Sequence, residues 1–133
     1  MPIEVGQFAR AVFESLALSY RRTLVQLERL TGQHISAIRI VGGGSQNSLL
    51  CQMVADSCCR TVIAGPKEAT VLGNAVAQAI ATGHLADQAQ ARAAIAESFS
   101  SETYQPQSFV HWDGAFEKFE QLCSGQEAAD SVA

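Results

Sequence analysis

The sequence predicts an α/β fold built on parallel strands. Three observations point there. Helical segments alternate with two short β-branched runs, at residues 35–41 and 60–64, in the order helix–strand–helix–strand–helix. That alternation is what crossover helices between parallel strands produce. Both runs are nearly all apolar, which predicts cover on both faces. Each run also ends in glycine, at Gly42 to Gly44 and at Gly65, where a strand turns into a helix.

The elements follow in order. Phe8, Val12, Leu16, Tyr20, Leu24 and Leu27 recur at steps of three or four and predict one apolar stripe on a helix over residues 5–31. Arg21, Arg22, Gln26 and Arg29 fall outside it. Pro2 and Glu4 suit its start, and Gly32 suits the left-handed residue beyond its end. Ile35, Ile38, Ile40 and Val41 make the first strand. A helix from about residue 46 to 58 or 59 follows, with Ser45 or Asn47 as its cap. Leu49, Leu50, Met53, Val54 and Cys58 form its apolar side, and Asp56 is expected in a structural role. Val62 and Ile63 centre the second strand.

A helix over residues 70–82 buries Leu72, Val76, Ala79 and Ile80, and Gly83 stops it. Residues 84–99 predict an alanine-rich helix anchored by Ile95 and Phe99. Residues 100–110 read as an extended linker. Phe109, Trp112, Phe116, Phe119 and Leu122 then line one side of a last helix, as a packing stripe. Residues 124–133 lack an apolar pattern and are expected to fray.

Composition narrows the function classes. The chain has 133 residues, a formal net charge of −4 and 47% hydrophobic residues. That suits one small domain. The acidic balance leaves no basic footprint for nucleic acid or an anionic membrane. No apolar run spans a bilayer and no signal-peptide layout is present, so a cytoplasmic location is expected. Cys51, Cys58, Cys59 and Cys123 contain no C-x-x-C pair, and His34, His84 and His111 are scattered. Small buried hydrophobes are the preferred reading, with no metal site and no disulfide. Two strands are few for a self-contained sheet, and open edges invite a partner.

The sharpest chemical feature is a strand, then Gly42-Gly43-Gly44-Ser45-Gln46-Asn47, then a helix. Glycines without a Cβ let a ligand lie against the backbone, and the helix start offers amides and positive dipole. The run is neither the G-x-G-x-x-G fingerprint nor a P-loop. It serves either a ligand or a tight turn. Asn47 and Ser45 are each open to a ligand contact or a capping role. The turn at Gly65-Pro66-Lys67-Glu68 should lie beside the first, making a cleft outside the C-terminal strand ends. Glu68 either holds a cofactor hydroxyl or caps the next helix. Lys67 either meets phosphate or is solvated. No nucleophile stands with a base and an orienting partner, so no catalytic residue is nominated.

Taken together, residues 40–50, Gln52, Ala55-Asp56 and the run Val62 to Asn74 resemble the C-terminal domain of the FGGY carbohydrate kinases. The Gly-Pro-x-Glu-Ala-Thr-x-Leu-Gly-Asn form at Gly65 to Asn74 points to the branch acting on L-rhamnulose. Arg10 to Ala17, Tyr20 to Leu24, Tyr104-x-Pro106 and the aromatic helix extend the likeness over residues 5–122. The resemblance implies part of an actin-like, ribonuclease-H-type fold with ATP in a cleft between two domains. It implies transfer of the γ-phosphoryl group to a sugar hydroxyl with Mg2+, giving L-rhamnulose 1-phosphate. Nucleotide contacts are expected at Gly42, Gly43, Gly44, Ser45, Asn47 and Glu68, with Gly43 and Gly44 packed against the nucleotide and Asn47 near adenine or ribose.

The departure is size. Family members are several times longer, and the sugar-binding N-terminal domain and the catalytic aspartate are absent. Asp56 does not replace that aspartate. Residues 1–123 are thus expected to be the nucleotide-side portion of such a kinase, inactive alone, with the sugar held mainly by the absent domain. Exposed apolar surface makes a homodimer an expected partner. The alternatives are a kinase for another ketose or polyol, such as xylulose, or a non-enzymatic interaction module of the same fold.

Overall fold

The computed structural model describes residues 4–108 and 111–130, with side chains as far as residue 125. Along the chain run α1 (Val5–Thr31), β1 (Ala37–Ile40), a 3-10 turn (Gly43–Gln46), α2 (Ser48–Cys58), β2 (Thr61–Ala64), α3 (Ala69–Ala81), α4 (Gln88–Ser98), β3 (Glu102–Tyr104) and α5 (Trp112–Asp130). The expected helix–strand–helix–strand–helix order is therefore present through α3. Pro2 and Phe109 lie outside the described residues. No helix among the described residues is long and apolar enough to cross a membrane.

The sheet has three strands, not two, in the order β1–β2–β3. β1 and β2 are parallel, with Ile40 beside Ala64. β3 is antiparallel to β2, with Glu102 beside Ala64 and Tyr104 beside Val62. The expected linker thus contains a strand. It is short and largely polar, so its own pattern carries little signal. Backbone pairing with the free edge of β2 creates it.

Cover on the two faces is unequal, contrary to expectation. Ile40, Val62 and Ala64 are buried, while Ala37 and Arg39 of β1 are exposed. α1 and α2 close the first face. Val54, Cys51 and Val62 are completely buried there, joined by Ala17, Leu24, Leu50, Ala55 and Cys58. α3 has no buried residue, although Leu72, Val76, Ala79 and Ile80 are its half-buried side. In α4 the anchor is the buried Ala91, and Phe99 is exposed rather than anchoring.

The α1 stripe is a second correction. Phe8 is 67% exposed, and Val12, Leu16, Tyr20 and Leu27 are also exposed, while Leu24 is buried. Steps of four advance about 40° around a helix of 3.6 residues per turn. The stripe therefore winds away from the face that α2 covers and reaches it only near Leu24. Phe13, Ala17 and Leu24 are the residues that pack on the core. Arg21 and Arg22 face α5 instead. Arg21 reaches Asp113 at 2.6 Å and lies 4.6 Å over the Phe116 ring, and Arg22 pairs with Glu120 at 3.2 Å. Trp112, Phe116 and Phe119 are half-buried on α5, whereas Leu122 is exposed.

The ends of α1 and α2 are set by local chemistry. Gly32 has φ +65° and donates its amide to the Glu28 carbonyl, a left-handed stop that glycine takes without strain. Arg60 knots the segments that follow. Its guanidinium donates to the carbonyls of Ile35 at 2.6 Å and Cys59 at 3.0 Å and to Glu28 Oε1 at 3.1 Å. Cys51 and Cys58 share the buried face of α2 as expected, Cys59 is exposed, and all four cysteines are free thiols.

Candidate functional site

The two strand-to-helix turns lie side by side, as the parallel pairing requires. The Gly42 amide donates to the Pro66 carbonyl at 3.0 Å, and the Gly65 amide donates to the Ile40 carbonyl at 2.7 Å. A Cβ on Gly65 would come within 2.8 Å of Val41 Cγ1, so glycine lets the turns touch.

The three consecutive glycines have different reasons to be glycine. Gly42 has φ +78° and needs the missing Cβ for its conformation. At Gly44 a Cβ would meet Ile40 Cγ2 at 3.6 Å, an ordinary contact. At Gly43 a Cβ would meet no protein atom within 4 Å, and its φ is not left-handed. Neither backbone strain nor packing within this chain requires glycine there. The space beside it is open to a group that approaches the backbone closely.

Ser45 is buried and its hydroxyl donates to the Gly42 carbonyl at 2.7 Å. It braces the turn and does not cap α2. Asn47 is the cap: its Oδ1 accepts from the Leu50 amide at 3.0 Å. Cys51 packs beneath, with its sulfur 3.8 Å from the Gly44 carbonyl. α2 starts at Ser48, two residues later than the pattern suggests, because the glycine run forms a 3-10 turn first. Leu49, expected on the apolar side, is exposed. Glu68 occupies the N-cap position of α3 but makes no side-chain cap bond there.

Asp56 has a structural task, as expected. Its Oδ1 accepts from Gln52 Nε2 at 3.0 Å and from the Gln107 amide at 2.7 Å. Gln52 also donates to the Gln105 carbonyl at 2.8 Å. These bonds tie the segment after β3 to α2.

A polar cleft of about 600 Å3 opens at the C-terminal ends of β1 and β2. Its walls include Ser45, Gln46 and Ser48 from the first turn, Gly65, Pro66 and Lys67 from the second, and Glu102 and Tyr104 from β3. Of the expected site residues, Ser45 lines this cleft. Gly42, Gly43, Gly44, Asn47 and Glu68 are not part of its lining. The carboxylate in the cleft is Glu102, from a strand that the sequence does not announce. Tyr104 Oη donates to Glu102 Oε2 at 2.6 Å, and this bond pushes the phenol pKa up to about 12. Burial pushes the Cys51 and Cys58 thiols up, which keeps them protonated and unreactive. Among the described residues, no three His, Cys, Asp or Glu side chains come together as a metal cage.

The cleft thus brings together hydroxyls from Ser45, Ser48 and Tyr104, the Lys67 ammonium group and the Glu102 carboxylate beside the two strand-to-helix turns. Residues 1–82 match the C-terminal domain of the FGGY family of carbohydrate kinases, and the chain belongs to that family. More particular likenesses are to rhamnulokinases. The Bacteroides thetaiotaomicron rhamnulokinase is 42% identical over 119 residues, which cover 90% of this chain and 24% of that protein. The Enterococcus faecalis rhamnulokinase is 47% identical over 107 residues, covering 79% of this chain and 22% of that protein. The chain spans about a quarter of the length of these relatives. Among solved structures, a xylulose kinase from Rhodospirillum rubrum superposes with a TM-score of 0.69 at 19% identity, covering 96% of this chain and 27% of that one. The shared architecture is the actin-like α/β fold that the sequence resemblance implied.

Proposed function

We propose that the chain is the ATP-binding portion of a sugar kinase that transfers the γ-phosphoryl group of ATP to a ketose. The ketose in this reading is L-rhamnulose, giving L-rhamnulose 1-phosphate. The observation that carries the nucleotide part is Gly43, where a Cβ would meet nothing in the protein. Gly43 sits just past the C-terminal end of β1, where that open space leaves room for a ligand against the backbone. The 42% and 47% identity to rhamnulokinases supports the choice of sugar.

The chain's own residues bind and orient. Gly43 and Gly44 lie under the nucleotide, Gly42 and Ser45 hold the turn, and Asn47 and Glu68 flank it. Lys67 offers positive charge to phosphate. Mg2+ carried by the phosphates would neutralise their charge during transfer. The base that accepts the sugar hydroxyl proton and most of the sugar pocket belong to a further domain in this reading. The chain alone then binds nucleotide without phosphorylating sugar, and the complete kinase works in the cytoplasm.

Calorimetric titration of the chain with ADP tests this. Binding is expected, and Gly43→Leu should abolish it while leaving the fold intact. Binding unchanged in Gly43→Leu would overturn the site assignment. Absence of binding by the native chain would favour an interaction module of the same fold. The alternative sugar is another ketose or polyol such as xylulose, the sugar named for the structural neighbour. A screen of L-rhamnulose, xylulose and polyols with the kinase encoded by the full gene separates the two readings.

A further inference from the structure

The cleft contains one carboxylate whose role neither the motif nor the relatives assign. This inference rests on the nucleotide-binding reading above. The register places Glu102, Ala64 and Ile40 in one row across the sheet. That row lies at the C-terminal ends of the parallel strands, where the glycine turn begins. β3 is antiparallel, so its first residue, Glu102, arrives at this edge.

Tyr104 Oη binds Glu102 Oε2 at 2.6 Å. Glu102 is exposed and stands in the cleft wall, with the bond from Tyr104 on one of its two carboxylate oxygens. An ionised carboxylate only accepts hydrogen bonds. Phosphate oxygens are likewise acceptors and negative, so they are repelled from it. The donors on a nucleotide are its ribose hydroxyls and the exocyclic amine of its base. The carboxylate therefore sorts the two ends of a bound nucleotide.

We propose that Glu102 accepts a hydrogen bond from a donor group of the bound nucleoside, with Tyr104 as the positioning residue that holds its carboxylate. The nucleoside lies toward β3. The phosphates lie toward the glycine turn and Lys67.

The test titrates the full 133-residue chain with ADP, 2′,3′-dideoxy-ADP and inosine 5′-diphosphate. ADP should bind about tenfold more tightly than the analogue lacking the contacted donor, the scale of one hydrogen bond to a charged group. A weak dideoxy analogue identifies the ribose hydroxyls, and a weak inosine analogue identifies the amine. Glu102→Ala should bind ADP only as well as that analogue. Tyr104→Phe should shrink the preference without removing it. Glu102→Gln, which keeps the side-chain shape, should also shrink it and serves if the alanine variant misfolds by circular dichroism. Equal affinity of the native chain for all three nucleotides would overturn the proposal, as would a preference that is undiminished in Glu102→Ala or, where that variant misfolds, in Glu102→Gln. Either result leaves nucleotide binding itself standing. Failure of the native chain to bind ADP overturns the binding reading and this inference with it.

Discussion

The Gly42 amide donates to the Pro66 carbonyl at 3.0 Å, so the two strand-to-helix turns form one hydrogen-bonded unit. The C-terminal edge of the parallel strands is thereby stiffened by backbone, independently of any side chain. A change in one turn is felt by the other.

Gly42 and Gly43 should separate stability from binding. Gly42→Ala forces a side chain into φ +78°, ψ −155°, a region nearly restricted to glycine, and should cost about 1–3 kcal/mol. Gly43→Ala should change stability by less than about 0.5 kcal/mol, because its Cβ meets nothing. Its effect should fall on ADP affinity instead. Urea denaturation and ADP titration of both variants check the contrast.

The α1–α2 contact should tolerate little change. Ser57 is fully buried and its hydroxyl donates to the Ala17 carbonyl across the two helices at 3.0 Å. Ser57→Ala should lower stability by about 1 kcal/mol, since the Ala17 carbonyl belongs to a helix and keeps its backbone environment. Ala17→Leu should cost more, about 1–3 kcal/mol or above, by overpacking a residue with no exposure. Denaturation midpoints of the two variants give the order.

Glu28 makes stability depend on acid pH. Its carboxyl is held below the usual glutamate range, first by the Ile35 amide and then by the Arg60 guanidinium. The folded state thus binds the proton less readily than the unfolded one. Its contribution is present above the unfolded pKa and is lost as pH falls through the lower folded pKa. The melting temperature of the native chain should therefore fall more steeply below pH 4.5 than that of Glu28→Gln. Parallel slopes in thermal melts from pH 6 to pH 3 would contradict the assignment.

Arg21 fastens α5 through packing more than through charge. Asp113 is 74% exposed, whereas the Arg21 side chain is 21% exposed and covers Phe116. Asp113→Asn should cost under about 0.5 kcal/mol, as exposed ion pairs do. Arg21→Ala removes the stem and the cation over the ring and should cost about 1 kcal/mol or more. Amide exchange along α5 should accelerate in the second variant and barely change in the first.

Much of this was legible in the residues. The Gly32 stop, the helix–strand alternation, the glycine turn and the shared face of Cys51 and Cys58 all follow from local chemistry. Asn47 was legible only as a pair of options, and its bond to the Leu50 amide shows the capping one in use. The α1 stripe misled because a step of four is close to the helical repeat without matching it. Only the position of α2 shows which sector of α1 is buried. Glu102 is not legible in the sequence because three residues, Glu-Thr-Tyr, carry no periodicity of their own.

The residues alone fix the order of the elements through α3, the turn with its three glycines and the family likeness, because propensity, periodicity and backbone freedom are properties of neighbouring residues. The tertiary structure alone decided that β3 joins β2, that the exposed side of the sheet carries Arg39, and that Glu102 rather than Glu68 stands in the cleft. Those outcomes depend on pairing between residues tens of positions apart. Hydrogen-bond register and competition for the two faces of a small sheet govern that pairing, and no local pattern encodes either.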